Sequence, residues 1–154
     1  MFKLLVLLFT STIAMADELP NSNFTPGVAR KDITVEQICS TKWSKDPRSV
    51  TSKMRSTVYH SYNVTKNTGA CALSARGCEL DHLISRELGG ADDIKNLWTQ
   101  PYGGSCNAVQ KDQLENYLHK MVCYGGIKLE DAQKMIATDW IKAYTTYIDP
   151  KGCK

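Results

Sequence analysis

The chain has 154 residues, of which 42% are hydrophobic and 23% charged, with a formal net charge of +3. That is enough for one domain with a modest core. The charge is too mild to call for a polyanionic partner by itself, so any electrostatic footprint must be local.

Residues 1–16 carry a short basic start, an unbroken apolar run over 4–9, and small residues Ala14 and Ala16 before acidic Asp17-Glu18. This is the layout of a secretory signal peptide, and the run falls short of the roughly 20 residues that a membrane span needs. The mature chain, from about Asp17, loses Lys3 and is slightly less basic. Its expected destination is secreted or periplasmic, with no membrane attachment after cleavage. Residues 17–31 hold two prolines, a glycine and small polar residues and read as an extended, loosely ordered lead-in. Residues 32–154 are expected to form a single domain.

A short helix is predicted over 34–39, capped by Asp32 or Thr34. Residues 42–55 are basic (Lys42, Lys45, Arg48, Lys53, Arg55) with Trp43 among them, and Tyr59, His60 and Tyr62 follow. The segment fits a nucleic-acid contact surface or an ordinary solvated face. Asn23 and Asn63 each open a glycosylation sequon. A strand is predicted over 78–83, a break at Gly89-Gly90, a second extended segment over 94–98 and a loop at 101–104. A helix should start at Asn107, with Leu114, Leu118, Met121 and Val122 as its apolar stripe, and stop at Gly125-Gly126. A second amphipathic helix is predicted over Leu129–Tyr147, with Ala132, Met135, Ile136, Trp140, Ile141 and Tyr144 inside. Trp98 reads as core.

Six cysteines behind an export signal point to disulfides, and no C-x-x-C pair supports a zinc knuckle. Fifteen pairings are open to them. The working expectation is a local clasp Cys71–Cys78 and a long-range tie Cys39–Cys123, which leaves Cys106–Cys153.

The chemistry concentrates in Asp81-His82, Asn96, Asn107 and Lys111. Asp81 and His82 are neighbours on a strand, so their side chains point to different sides, one toward a metal and the other toward substrate. Phosphodiester hydrolysis needs a base for the attacking water, which a histidine near neutrality supplies. It also needs neutralisation of the phosphoryl oxygens and the leaving oxygen, which one divalent cation supplies. Asp81 and Asn107 would offer hard oxygen ligands and leave roughly four octahedral positions for water and phosphate, favouring Mg²⁺ or Mn²⁺. The competing role for Asn107 is a helix N-cap. Arg86 could hold a phosphate or be an ordinary loop arginine. His60 and His119 have no motif around them. Glu115 and His119 share a helix face with Asn107 and Lys111.

The run from Glu79 to Gly90, then Asp93, Asn96-Leu97-Trp98, Cys106-Asn107 and Lys111, resembles the HNH (ββα-metal) endonuclease motif in the variant with asparagine at the third position. Further segments (34–43, 111–115, Val122-Cys123 and Ala132-Gln133) are similar to small secreted bacterial proteins of that family. The resemblance implies an α+β fold whose core, about 78–123, is a two-stranded hairpin followed by a helix, with additional packed helices and disulfides. It implies His82 as general base, Asp81 and Asn107 as metal ligands, and Asn96 as a structural residue holding the hairpin. Lys111 stands where some relatives carry a metal-binding histidine, and its ammonium is expected to meet phosphate. The zinc-binding cysteine pairs of many members are absent here. The implied activity is hydrolysis of DNA or RNA with little sequence specificity, since no base-reading module is evident. The alternative is a non-catalytic, secreted nucleic-acid-binding protein on the same scaffold.

Overall fold

A computed structural model of the chain describes residues 19–64 and 77–153. It is α+β. Among the described residues there are four α-helices, α1 (Val35–Ser40), α2 (Ser52–Ser61), α3 (Ala108–Cys123) and α4 (Leu129–Tyr147), and one antiparallel hairpin, β1 (Cys78–His82) with β2 (Leu97–Pro101). None of the described helices is long and apolar enough to cross a membrane.

Local sequence accounts for most element ends. Thr34 caps α1 through a reciprocal box with Gln37. Asn107 does the same for α3 with Gln110. Helix α4 is interrupted at Asp139, which adopts an extended backbone (φ −163°, ψ 89°) while its carboxylate accepts the Lys142 amide at 2.9 Å. Asp139 thus acts as an internal N-cap and starts the second half of the helix.

Helices α3 and α4 bury Leu114, Leu118, Val122, Leu129, Ala132, Ile136, Trp140 and Tyr144 in one cluster with Ile38 of α1 and Leu83, Leu88 and Trp98 of the hairpin region. Met135 and Ile141 pack at its margin. The Cys39–Cys123 disulfide fastens α1 to the end of α3, and Cys106–Cys153 joins the start of α3 to the tail beyond α4. Both pairings are as expected; the Cys71–Cys78 clasp lies outside the described residues, because Cys71 does.

The structure departs from the sequence reading in three places. The second strand begins later than expected: Ile94–Asn96 forms a 3₁₀ turn and pairing runs from Leu97 to Pro101. The cause is Asp93, whose side chain accepts the Lys95 amide and starts the turn. Helix α2 was not anticipated; Thr51 caps it through the Met54 amide, and its basic, weakly apolar sequence hid its periodicity. The lead-in is not loose over its described part. Val28 accepts the Ala91 amide, Arg30 donates its own to Gly89, and Gly27 donates to Lys95.

Asn96 is the pin of this region. Fully buried, its Oδ1 accepts the Ile84 amide at 2.9 Å and the Val28 amide at 3.3 Å. Its Nδ2 donates to the Ile84 carbonyl at 3.0 Å and the Ala91 carbonyl at 3.1 Å. One side chain thus joins the lead-in, the end of β1 and the glycine loop. Gly90 is required for this closure: a Cβ there would lie 1.7 Å from the Ile84 carbonyl oxygen and 2.9 Å from Asn96 Nδ2. Asn96→Ala leaves buried backbone groups unpaired, each costing about 1–3 kcal/mol. We expect chemical denaturation of that variant to show a loss of at least about 3 kcal/mol.

Candidate functional site

The hairpin presents Asp81 and His82 from consecutive positions, paired across the ladder with Trp98 and Leu97. Despite their opposite strand faces, both line one cavity of about 390 Å³, together with Trp43, Arg48, Glu79, Ser85, Arg86, Glu87, Asp112 and Glu115.

His82 is buried, and its Nε2 lies 2.7 Å from Asp92 Oδ1. Burial pulls the imidazole below the ordinary histidine value of 6.5, although the hydrogen bond to Asp92 and the charges of Asp81 and Asp92 work against it. The ring is therefore neutral at pH 7. Burial also opposes ionisation of Asp92, yet the Ser49 amide and the His82 contact hold its carboxyl below the usual range. An ionised Asp92 selects the tautomer that donates from Nε2 and leaves the Nδ1 lone pair as proton acceptor. Sequence reasoning missed Asp92. Ten positions from His82 and just past the glycine pair, it meets the ring only because the loop folds back through Asn96 and Gly90; the one signal was an acid beside those glycines.

Asp81 uses one oxygen structurally. Its Oδ2 accepts from Trp98 Nε1 at 3.1 Å and from Lys111 Nζ at 2.8 Å. Asp81 Oδ1 has no hydrogen-bond partner among the described residues. Lys111 is completely buried, and its ammonium also donates to the His82 carbonyl at 2.9 Å and to Glu115. Burial pulls the Lys111 pKa down, but the Asp81 and Glu115 carboxylates outweigh it and hold the ammonium charged. Glu115 moves upward because it is buried, with Lys111 opposing. All three ammonium protons are committed, so Lys111 does not face phosphate as the sequence suggested; it locks α3 to β1 beneath the cavity.

Two other expected site residues are also occupied elsewhere. Arg86 donates to the Asp46 carbonyl at 3.2 Å, to the Asp46 carboxylate and to the Pro47 carbonyl at 3.0 Å. It clamps the segment before α2 instead of standing open to phosphate. Asn107 accepts the Val109 amide at 2.9 Å and donates to the Gly104 carbonyl at 3.1 Å, as a helix cap, and it does not line the cavity. Of the two expected metal ligands, only Asp81 lines the cavity. His60 and His119 lie outside the cavity wall; His119 Nε2 sits 3.6 Å from Cys123 Sγ.

The cavity is acidic. Glu79, Glu87 and Asp112 all have carboxyl pKa values raised, first by burial, and for Glu79 and Asp112 also by the Asp81 charge. Among the described residues no three His, Cys, Asp or Glu side chains surround a common metal position. The donor chemistry is nonetheless that of a hard cation: carboxylate oxygens, with Asp81 Oδ1 unspent. A Mg²⁺-like ion commonly takes one or two carboxylates and completes its shell with water and substrate phosphate. Asp81 fits that role, whereas Asn107 caps α3 and is not among the residues lining the cavity.

Lys111→Met removes the buried ammonium and strands two half-buried carboxylates, a change of the kind that costs up to about 3–5 kcal/mol. Glu115, displaced upward by burial, then loses the ammonium that opposes that displacement, so it binds a proton more readily folded than unfolded and the loss should shrink as pH falls. Urea denaturation of the variant at neutral and mildly acidic pH measures both effects. A deficit that does not depend on pH would contradict this charge balance.

Searches with the chain found no matching family model, no matching curated protein and no matching solved structure.

Proposed function

We propose that the chain is an exported endonuclease of the HNH type that hydrolyses phosphodiester bonds of DNA or RNA with little sequence preference. The observation that carries the reading is His82, held by Asp92 at 2.7 Å, in the wall of the cavity that Asp81 also lines. Support also comes from the strand–glycine loop–strand–helix order, with Asn96 pinning the loop. Two disulfides and the absence of a membrane-crossing helix among the described residues accord with export.

In this reading His82 takes a proton through Nδ1 from a water as its oxygen attacks phosphorus, and the bond from phosphorus to the leaving oxygen breaks. Asp92 orients the ring and stabilises the imidazolium. Asn96 and Lys111 hold the strand end that carries His82, Lys111 through the His82 carbonyl itself. Asp81, fixed by Trp98 and Lys111 on one oxygen, would hold a divalent cation, Mg²⁺ or Mn²⁺, with the other. Bound there, such an ion supplies neutralising charge for the phosphoryl and leaving oxygens. The acidity of the wall makes a counter-cation the condition for admitting a phosphodiester, which favours this reading over a bare polyanion binder.

The experiment is cleavage of plasmid DNA and of RNA by the disulfide-bonded protein, with Mg²⁺ or Mn²⁺ and with chelator. His82→Ala should lower kcat about 10²–10⁴-fold. The acidic limb of the rate profile should lie below 6.5, because the folded-state pKa of the base is depressed. Asp92→Asn removes contributions that raise that pKa, so it should move the limb to still lower pH while reducing kcat. If the folded protein cleaves neither nucleic acid, or if His82→Ala cleaves as well as the parent, the proposal fails.

A further inference from the structure

The cavity needs a group that recognises phosphate, and the two cations first expected to do so, Arg86 and Lys111, are spent on protein oxygens. Arg48 also lines the cavity. It is exposed and has no hydrogen-bond or ion-pair partner among the described residues.

Its place is not that of a drifting loop arginine. The residue before it, Pro47, gives its carbonyl to Arg86, and the residue after it, Ser49, donates its amide to Asp92 Oδ2 at 2.5 Å. Arg48 is therefore stapled on both sides, and the second staple is the carboxylate that orients His82. A second observation comes from the same wall. Ser85 is 4% exposed and lines the cavity, yet its hydroxyl has no hydrogen-bond partner among the described residues. A buried hydroxyl without a partner is costly unless a ligand or water completes it.

We infer that Arg48 and Ser85 form the backbone-phosphate subsite of the His82 cavity: the Arg48 guanidinium pairs with a phosphate of the nucleic acid and the Ser85 hydroxyl donates to it. Arg86 and Asp46 are then positioning residues that hold the Arg48 segment in place, and Asp92 couples that segment to the base. The inference deepens the nuclease reading and rests on it for the identity of the ligand.

The test is binding of a fluorescein-labelled DNA duplex by the disulfide-bonded His82→Ala protein, in which the duplex stays intact, at a fixed Mg²⁺ concentration, followed by anisotropy across a monovalent-salt series. Adding Arg48→Ala should weaken binding about tenfold at low salt and reduce the log–log salt slope by about one unit, as loss of one phosphate contact does. Arg48→Lys should keep the slope. Adding Ser85→Ala should weaken binding without changing the slope, and it should leave the unfolding midpoint unchanged, because the hydroxyl bonds to none of the described residues. A Ser85 with a merely structural role would give the reverse: a lowered midpoint with affinity intact. Equal affinity and slope for Arg48→Ala and its parent overturn the subsite even if the wild-type protein cleaves through His82. Arg48-dependent binding by a chain that never cleaves would leave the subsite standing and overturn the nuclease reading. No binding by any form overturns both.

Discussion

A fully buried ammonium tolerates its position only if every proton finds an acceptor, and Lys111 meets that condition with Asp81, Glu115 and the His82 carbonyl. These acceptors come from different parts of the fold: the strand that carries the candidate base, the residue before it, and the next turn of α3. The contact fixes how the helix sits against the hairpin. It also consumes one oxygen of Asp81 and leaves the other, so the same interaction that closes the core sets which atom the cavity can use.

Around that lock the hairpin end is held by neutral hydrogen bonds. Asn96 satisfies backbone groups from the lead-in, from Ile84 and from Ala91, and Gly90 admits the close approach that this requires. The glycine loop is thereby folded back far enough for Asp92 to reach His82. Arg86 extends the arrangement outward by holding Asp46 and Pro47, while Asp92 takes the Ser49 amide. His82, its carboxylate partner Asp92 and the segment of Asp46 to Ser49 thus belong to one hydrogen-bonded assembly, and none of its members is an independent loop residue.

Much of the scaffold was legible in the sequence because it rests on local rules. Periodicity located α3 and α4, capping residues located the starts of α1 and α3, and the glycine pair marked the turn of the hairpin. The disulfides Cys39–Cys123 and Cys106–Cys153 were among the open pairings and form. Trp98 is core, as its surroundings suggested. What could not be read were roles that depend on which groups become neighbours. A lysine four residues after an asparagine looks like a surface cation; only packing shows it enclosed by Asp81 and Glu115. Asn107, expected first as a metal ligand, also satisfies a capping rule, and it caps α3. Asp92, Asp46 and Ser49 carry no local pattern at all, because each acts on a residue ten to forty-three positions away.

The electrostatics of the cavity follow from this division of labour. Carboxylates outnumber open cations in its wall, since Lys111 and Arg86 are neutralised where they stand. Burial displaces the Glu79 and Asp112 carboxyls upward, and the nearby Asp81 charge adds to that displacement. Such a concentration of like charge weakens the fold wherever it is not offset. Its persistence beside a neutral, buried histidine is intelligible if the wall is completed by positive charge at the moment of use, from a hard cation at Asp81 and from the guanidinium at the rim. A phosphodiester that brought only its own negative charge would be repelled. Under the proposed reading, one accompanied by a cation would meet a His82 ring already oriented by Asp92, in a cavity where burial lowers the imidazole's affinity for a proton.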